Sequence, residues 1–187
     1  MTWSRRLSST VWCLLLPGAL SLAACADRSA EATLRLFFEA SRLRDLTTLA
    51  SFAVARFEPH IDGAITHFDL LAATPAQTDH VPRAALAVPP VLPGEGEAPS
   101  PSPANLARLS LSSLTDPLET VLEQTGNVIA LVRQEMTIHA QVHTVDGQTE
   151  KRTLKVTLAR AESDGARRIV GRWIVTNVSA ASARSLL

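Results

Sequence analysis

The chain has 187 residues, 46% of them hydrophobic, 19% charged and 4% aromatic, with 18 basic and 18 acidic side chains. A chain of this length buries about 70% of its unfolded surface, enough for one core without metals or disulfides and short of two. Zero formal charge excludes a molecule built to grip nucleic acid, because that affinity comes from Lys and Arg neutralising phosphates.

The N-terminus, MTWSRRLSSTVWCLLLPGALSLAAC, sets Arg5 and Arg6 ahead of an apolar stretch centred on Val11 to Leu16, with small residues before Cys25. This is a secretory signal layout. Pro17 and Gly18 interrupt the apolar run, which falls short of the roughly 20 residues a membrane-spanning helix needs. Residues 1–24 are therefore expected to be a removed signal peptide. Leu22-Ala23-Ala24-Cys25 resembles the lipobox of bacterial lipoproteins, where a branched residue and two small ones precede the modified cysteine. The resemblance implies a diacylglycerol on the Cys25 sulfur, cleavage before Cys25 and a further acyl chain, such as palmitate, on the new amino group.

One acyl chain holds a protein marginally, at about 0.8 kcal/mol per buried methylene, whereas two or three anchor it stably. Cysteine counting agrees: Cys13 lies in the leader, which leaves Cys25 alone where an unpaired thiol is a liability. No intrachain disulfide is expected. Ser4-Arg5-Arg6 is a poor twin-arginine signal, since Ser8 stands where a bulky residue belongs. Ala26, in place of an inner-membrane aspartate, is similar to the sorting pattern of outer-membrane lipoproteins. Losing the leader takes away Arg5 and Arg6 and no acid, leaving 16 basic against 18 acidic groups.

After a tether over residues 25–30, EATLRLFFEASR at 31–42 sets Leu34, Phe37, Phe38 and Ala40 on one stripe, the pattern of an amphipathic helix. Asp45 caps a second helix carrying Leu46 and Leu49 to about Ala53. AITHFDLLAA at 64–73 reads as a strand. Residues 82–105 hold seven of the eleven prolines and read as an inserted loop or extended spacer. Leu106 to Leu114 reads as a strand by its leucine alternation. Asp116-Pro117-Leu118-Glu119 supplies a cap, a first-turn proline and an acid for a short helix stopped by Gly126.

Three β-rich runs follow, at Val128–Val145, Glu150–Ala161 and Arg168–Ser179, and the gaps carry Asp146-Gly147 and Asp164-Gly165. Asp-Gly between alternating runs is a hairpin signal, since the turn residues must tolerate positive φ. Met136, Ile138, Ala140 and Val142 share one face of the first strand, Leu154, Val156 and Leu158 of the second, and Ile169, Trp173 and Val175 of the third. His139, Gln141 and His143, with Lys155, Thr157, Arg172 and Thr176, take the wet side. The tail, 180–187, has no pattern.

This order of elements resembles the nuclear transport factor 2-like fold, through ATLRLFFEASRLRDLTTLASFA at 32–53 and RRIVGRWIVTNVS at 167–179. The resemblance implies an α+β domain over residues 31–179: an N-terminal helix pair packed on a curved antiparallel sheet, a cone, closed by the three-stranded meander. The Pro-rich insertion departs from compact members. The family holds ketosteroid isomerase-like enzymes and many non-catalytic binding domains, so site chemistry decides. The isomerase pocket resembled uses a carboxylate base and a tyrosine, and this chain has no tyrosine.

A buried carboxylic acid can replace a phenol, which makes Asp69, with His67 two residues away, the catalytic candidate. The competing view sets both on a solvated strand face. His139 and His143 would sit about 13 Å apart on a strand, too far to share a metal. There is no Gly-x-Ser-x-Gly elbow and no phosphate loop, and neither cofactor nor metal is expected. The leading expectation is a lipid-anchored, periplasm-facing, non-catalytic domain that binds a small apolar ligand or an envelope protein. The alternatives are an isomerase- or hydrolase-like enzyme using Asp69, and a structural part of an envelope assembly docked through its Pro-rich strip.

Overall fold

The computed structural model describes residues 29–87, 102–112, 114–165 and 167–181. The leader, Cys25, most of the Pro-rich insertion and the tail beyond Ala181 lie outside the described residues.

Helix α1 (Ala30–Leu43) starts where the Ser29 hydroxyl accepts the Ala32 N–H at 3.0 Å, and it buries Leu34, Phe37, Phe38 and Ala40. It ends at Arg44, a non-glycine residue at φ 55° whose N–H donates to the Ala40 and Ser41 carbonyls. That left-handed conformation costs an L-residue about 1–2 kcal/mol, which is why glycine usually fills it. Asp45 then caps α2 (Leu46–Phe52), accepting from the Thr48 hydroxyl and N–H at 2.6 and 3.0 Å. The hydroxyl bond first, and the N–H bond after it, hold the Asp45 carboxyl below the usual carboxylate range. A one-turn helix that the sequence does not announce, α3 (Pro59–Asp62), leads through Gly63 at φ 85° into β1 (Ala64–Ala73).

Two readings of the middle are corrected. First, residues 82–105 are not one spacer. Pro82 closes β2 (Gln77–Pro82), Arg83–Ala87 form α4, and Ser102 caps the next helix. Pro82 is tolerated there because it ends a strand at the sheet edge, where a missing N–H costs little. Second, Leu106 to Leu114 is not a strand: Pro103–Leu111 is helix α5, with Pro103 in its first turn and the Ser102 hydroxyl accepting the Asn105 N–H at 3.3 Å. Its buried residues, Leu106, Ala107, Ser110 and Leu111, fall at helical spacing. A short apolar run fits both periods, and packing decides. Helix α6 (Leu118–Gln124) has Pro117 rather than Asp116 at its N-cap, with no side-chain cap bond, and ends at Thr125.

Strands β3 (Val128–His143) and β4 (Thr149–Asp164), 16 residues each, form a hairpin whose pairing runs unbroken from Ala130 opposite Glu162 to His143 opposite Thr149. The third β-rich run is two strands, β5 (Arg168–Val170) and β6 (Ile174–Ala180), both on β4. On the other side, β1 and β2 share the outer edge of β3 end to end. The six strands curl into an antiparallel half-barrel, so the molecule is α+β. The two Asp-Gly turns differ from the expected form. Gly147 has φ 77°, but among the described residues Arg44 alone of the non-glycines is positive, and Gly165 is not positive at all. Gly165 is required by proximity instead: a Cβ there would stand 2.5 Å from the Gln124 carbonyl oxygen and the Gly126 nitrogen.

The buried side changes along the hairpin. Near its turn, Met136, Ile138, Ala140 and Val142 face Leu154, Val156 and Leu158 in the core, as the alternation predicts. Near its open end the opposite parity is buried: Ile129 and Leu131 with Ala159, Ala161 and Ser163. A ribbon this long twists too far to keep one face toward a compact core. Helix α1 accordingly packs near the turn half, on β1 and β6, while α5 packs on β4 with β2 and β3 beside it.

Between β5 and β6, residues Gly171–Trp173 leave the ladder, and α5 fills the gap. The fully buried Ser110 hydroxyl accepts the Ala161 N–H of β4 at 2.9 Å and donates to the Arg172 carbonyl at 2.6 Å. The Ser110 carbonyl accepts the Arg172 N–H at 3.1 Å, and Gly171 N–H donates to the Ala161 carbonyl at 2.8 Å. One helical residue thus takes the hydrogen bonds that a continuous strand would have taken.

Candidate functional site

Strand β1 carries the catalytic candidates. Its inward residues are Ile65 and Phe68, three apart rather than two, because the pairing slips between Ile65 and His67. A bulge of this kind turns the residues that follow it. His67 and Asp69 consequently lie on the solvent side, opposite Gln141 and His139 of β3. His67 Nε2 stands 3.4 Å from Asp69 Oδ1, with side chains 56% and 76% exposed. A surface pair of this kind contributes about 0–1 kcal/mol.

A carboxylic acid that replaces a phenol must be enclosed by apolar surface, and Asp69 stands in water. His67 reaches the rim of a 230 Å³ cleft between α1 and β1, lined also by Arg35, Phe38, Arg42 and Thr66, whereas Asp69 does not line it. The two side chains of the proposed acid–base pair meet each other at the surface, but only His67 lines the cleft. The structure adds a neighbour that the sequence hides, since His139 is the cross-strand partner of Asp69. No signal within the chain gives that register.

His139 and His143 are exposed on one strand, and His143 Nδ1 lies 3.0 Å from the Thr149 hydroxyl. Among the described residues no group of three or more His, Cys, Asp or Glu side chains is placed to hold a metal ion. Cys25, the lipid-attachment candidate, lies outside the described residues.

Among the described residues, buried side chains pack on the concave side of the half-barrel, where an apolar ligand would sit. Phe37 and Leu34 are fully buried, and Phe37, Phe38, Phe57 and Phe68 make edge-on ring contacts at 5.2–6.4 Å. The clefts described all open outward. A 680 Å³ groove between α4 and α6 is bordered by Arg83, Ala87, Glu119, Leu122, Glu123 and Asn127. Trp173 belongs to the buried set, with the Arg160 guanidinium 4.6 Å above its ring.

No protein-family model, curated protein or solved structure matches the chain. Among the described residues no helix is long and apolar enough to cross a membrane.

Asp69→Asn is expected to change unfolding free energy by less than about 0.5 kcal/mol, as surface substitutions do. Urea denaturation of the two proteins checks this. A loss above about 1 kcal/mol would mean that Asp69 is enclosed after all.

Proposed function

We propose that this chain is an acylated lipoprotein of a bacterial envelope. In this reading Cys25 carries the lipid and faces the periplasm, and the α+β domain, of the nuclear transport factor 2-like type, is a non-catalytic module that binds a protein partner through its surface. The observation that carries the reading is Leu22-Ala23-Ala24-Cys25 at the end of a basic and then apolar leader. Ala26 after the cysteine favours the outer membrane.

Two features of the domain support binding over catalysis. The half-barrel holds phenylalanine and aliphatic side chains where an enzyme of this shape would keep its substrate. The catalytic candidate Asp69 is exposed, and the chain has no tyrosine to act as its phenolic counterpart.

Expression in a two-membrane bacterium fed an alkynyl fatty acid tests the anchor. The wild-type chain is expected to incorporate the label and to sediment with membranes. Cys25→Ser is expected to lose the label and at least about tenfold of its membrane-bound fraction, because no acyl chain remains to partition into lipid. An intact mass showing residue 25 bare, or the leader still attached, in the wild-type protein overturns the reading.

A further inference from the structure

Helix α1 and the first residue of α2 expose leucines that the core does not use. Leu36, Leu43 and Leu46 are 45%, 63% and 74% exposed. Leu36 and Leu43, seven residues apart, lie on one helical face opposite the buried Leu34–Phe38 stripe. Glu39 stands between that face and Arg35 and Arg42, which line the cleft between α1 and β1, where Arg35 pairs with Glu31 at 2.6 Å; Arg44 follows in the left-handed conformation that favours glycine.

What covers this face is set by the length of chain before it. Ala30, the first residue of α1, is five residues from Cys25, a reach of at most about 17 Å even when fully extended. Leu36 is about 9 Å further along the helix axis. If Cys25 is acylated, α1 is held within its own length of the bilayer, and its leucine face lies within reach of the headgroup layer.

We infer that Leu36 and Leu43 of α1, with Leu46 at the start of α2, form a membrane-docking surface that lays the domain on the phospholipid bilayer holding its own anchor. The inference rests on the acylation of Cys25 proposed above. The leucines enter the headgroup and acyl boundary, as the apolar side of an interfacial helix does. Arg44, in the turn after Leu43, brings its guanidinium group to lipid phosphates. Of the other exposed apolar side chains, among them Val54, Leu70, Leu71 and Val128, Ile61 of α3 and Val145 of the β3–β4 turn are as exposed as Leu43 and serve as controls.

The test uses the full acylated chain in phospholipid vesicles whose acyl chains carry a nitroxide quencher. Leu43→Cys introduces one free thiol for a fluorescent label, since Cys25 is then acylated and Cys13 is lost with the leader. Ile61→Cys provides a comparably exposed control. Lipid quenching is expected to be at least about threefold stronger at position 43 than at 61, the contrast between a group buried at the boundary and one in water. Adding Leu36→Ser and Leu46→Ser to the Leu43→Cys protein is expected to lower quenching to the control level. Equal quenching at 43 and 61, with acylated Cys25 confirmed by mass, overturns the docking surface and leaves the anchor standing. A bare Cys25 overturns both. Crosslinking of position 43 between two copies, in place of lipid quenching, overturns the inference in favour of self-association through this face.

Discussion

Ser110→Ala is expected to destabilise the domain by about 2–4 kcal/mol, because it leaves the Ala161 N–H and the Arg172 carbonyl without their partner at a buried position. Alanine is the better helix former, but that gain is about 0.5 kcal/mol and does not offset the loss. Gly171→Ala attacks the same contact from the other side. Its Cβ would stand 2.3 Å from the Ser110 hydroxyl and 2.8 Å from the Ser110 carbonyl oxygen, which is helix backbone and cannot swing away. An expected loss of about 3 kcal/mol follows from overpacking of this kind. The double variant should lose less than the sum of the two, since both changes break one contact. Urea unfolding of the three proteins decides. Full additivity, or a loss below about 0.5 kcal/mol for Ser110→Ala, would show that α5 does not complete the β4 edge.

Phe37→Ala is expected to cost about 3–5 kcal/mol, the range for deleting a buried phenyl group, and to lower Tm by about 6–20 °C. Phe37 is fully buried and meets Phe38 and Phe57 edge-on at 5.2 and 6.4 Å. The void it leaves would be lined by apolar groups. Benzene, which enters dry apolar cavities, is expected to restore part of the lost stability to the variant and to add none to the wild-type protein. Stabilisation of the wild-type protein by benzene, or a loss under about 1 kcal/mol, would instead reveal a hollow ready for a ligand. That result would return the small-ligand and enzyme readings to the front. The outcome for Phe37 therefore bears on function as much as on stability, because binding inside the half-barrel and binding on its surface require opposite packing.

Local signals were legible where one element could satisfy them alone. The 3.6-residue stripe of Leu34, Phe37 and Phe38 and the Asp45 cap mark α1 and α2, which lie within a residue or two of their expected bounds. The β1 range, Ala64–Ala73, matches its expected limits, and the alternating runs around Gly147 form one hairpin. The candidate site was less legible. His67 and Asp69 lie 3.4 Å apart, but their side of the sheet depends on the bulge after Ile65, and their companion His139 lies 70 residues beyond Asp69 in the chain. Alternation within one strand says which residues share a face, not which face the fold covers.

The amino-acid sequence determined the period of α1, strand β1, the β3–β4 hairpin and the Asp45 cap, since each depends on residues a few positions apart. Tertiary structure alone decided that Leu106 to Leu111 is a helix rather than a strand. It also decided that the third β run breaks at Gly171, and that the hairpin buries odd-numbered residues at one end of β3 and even-numbered residues at the other. Those outcomes turn on partners tens of residues away: a strand edge needing hydrogen bonds, a helix with a hydroxyl to supply them, and a ribbon whose twist carries its faces past the core.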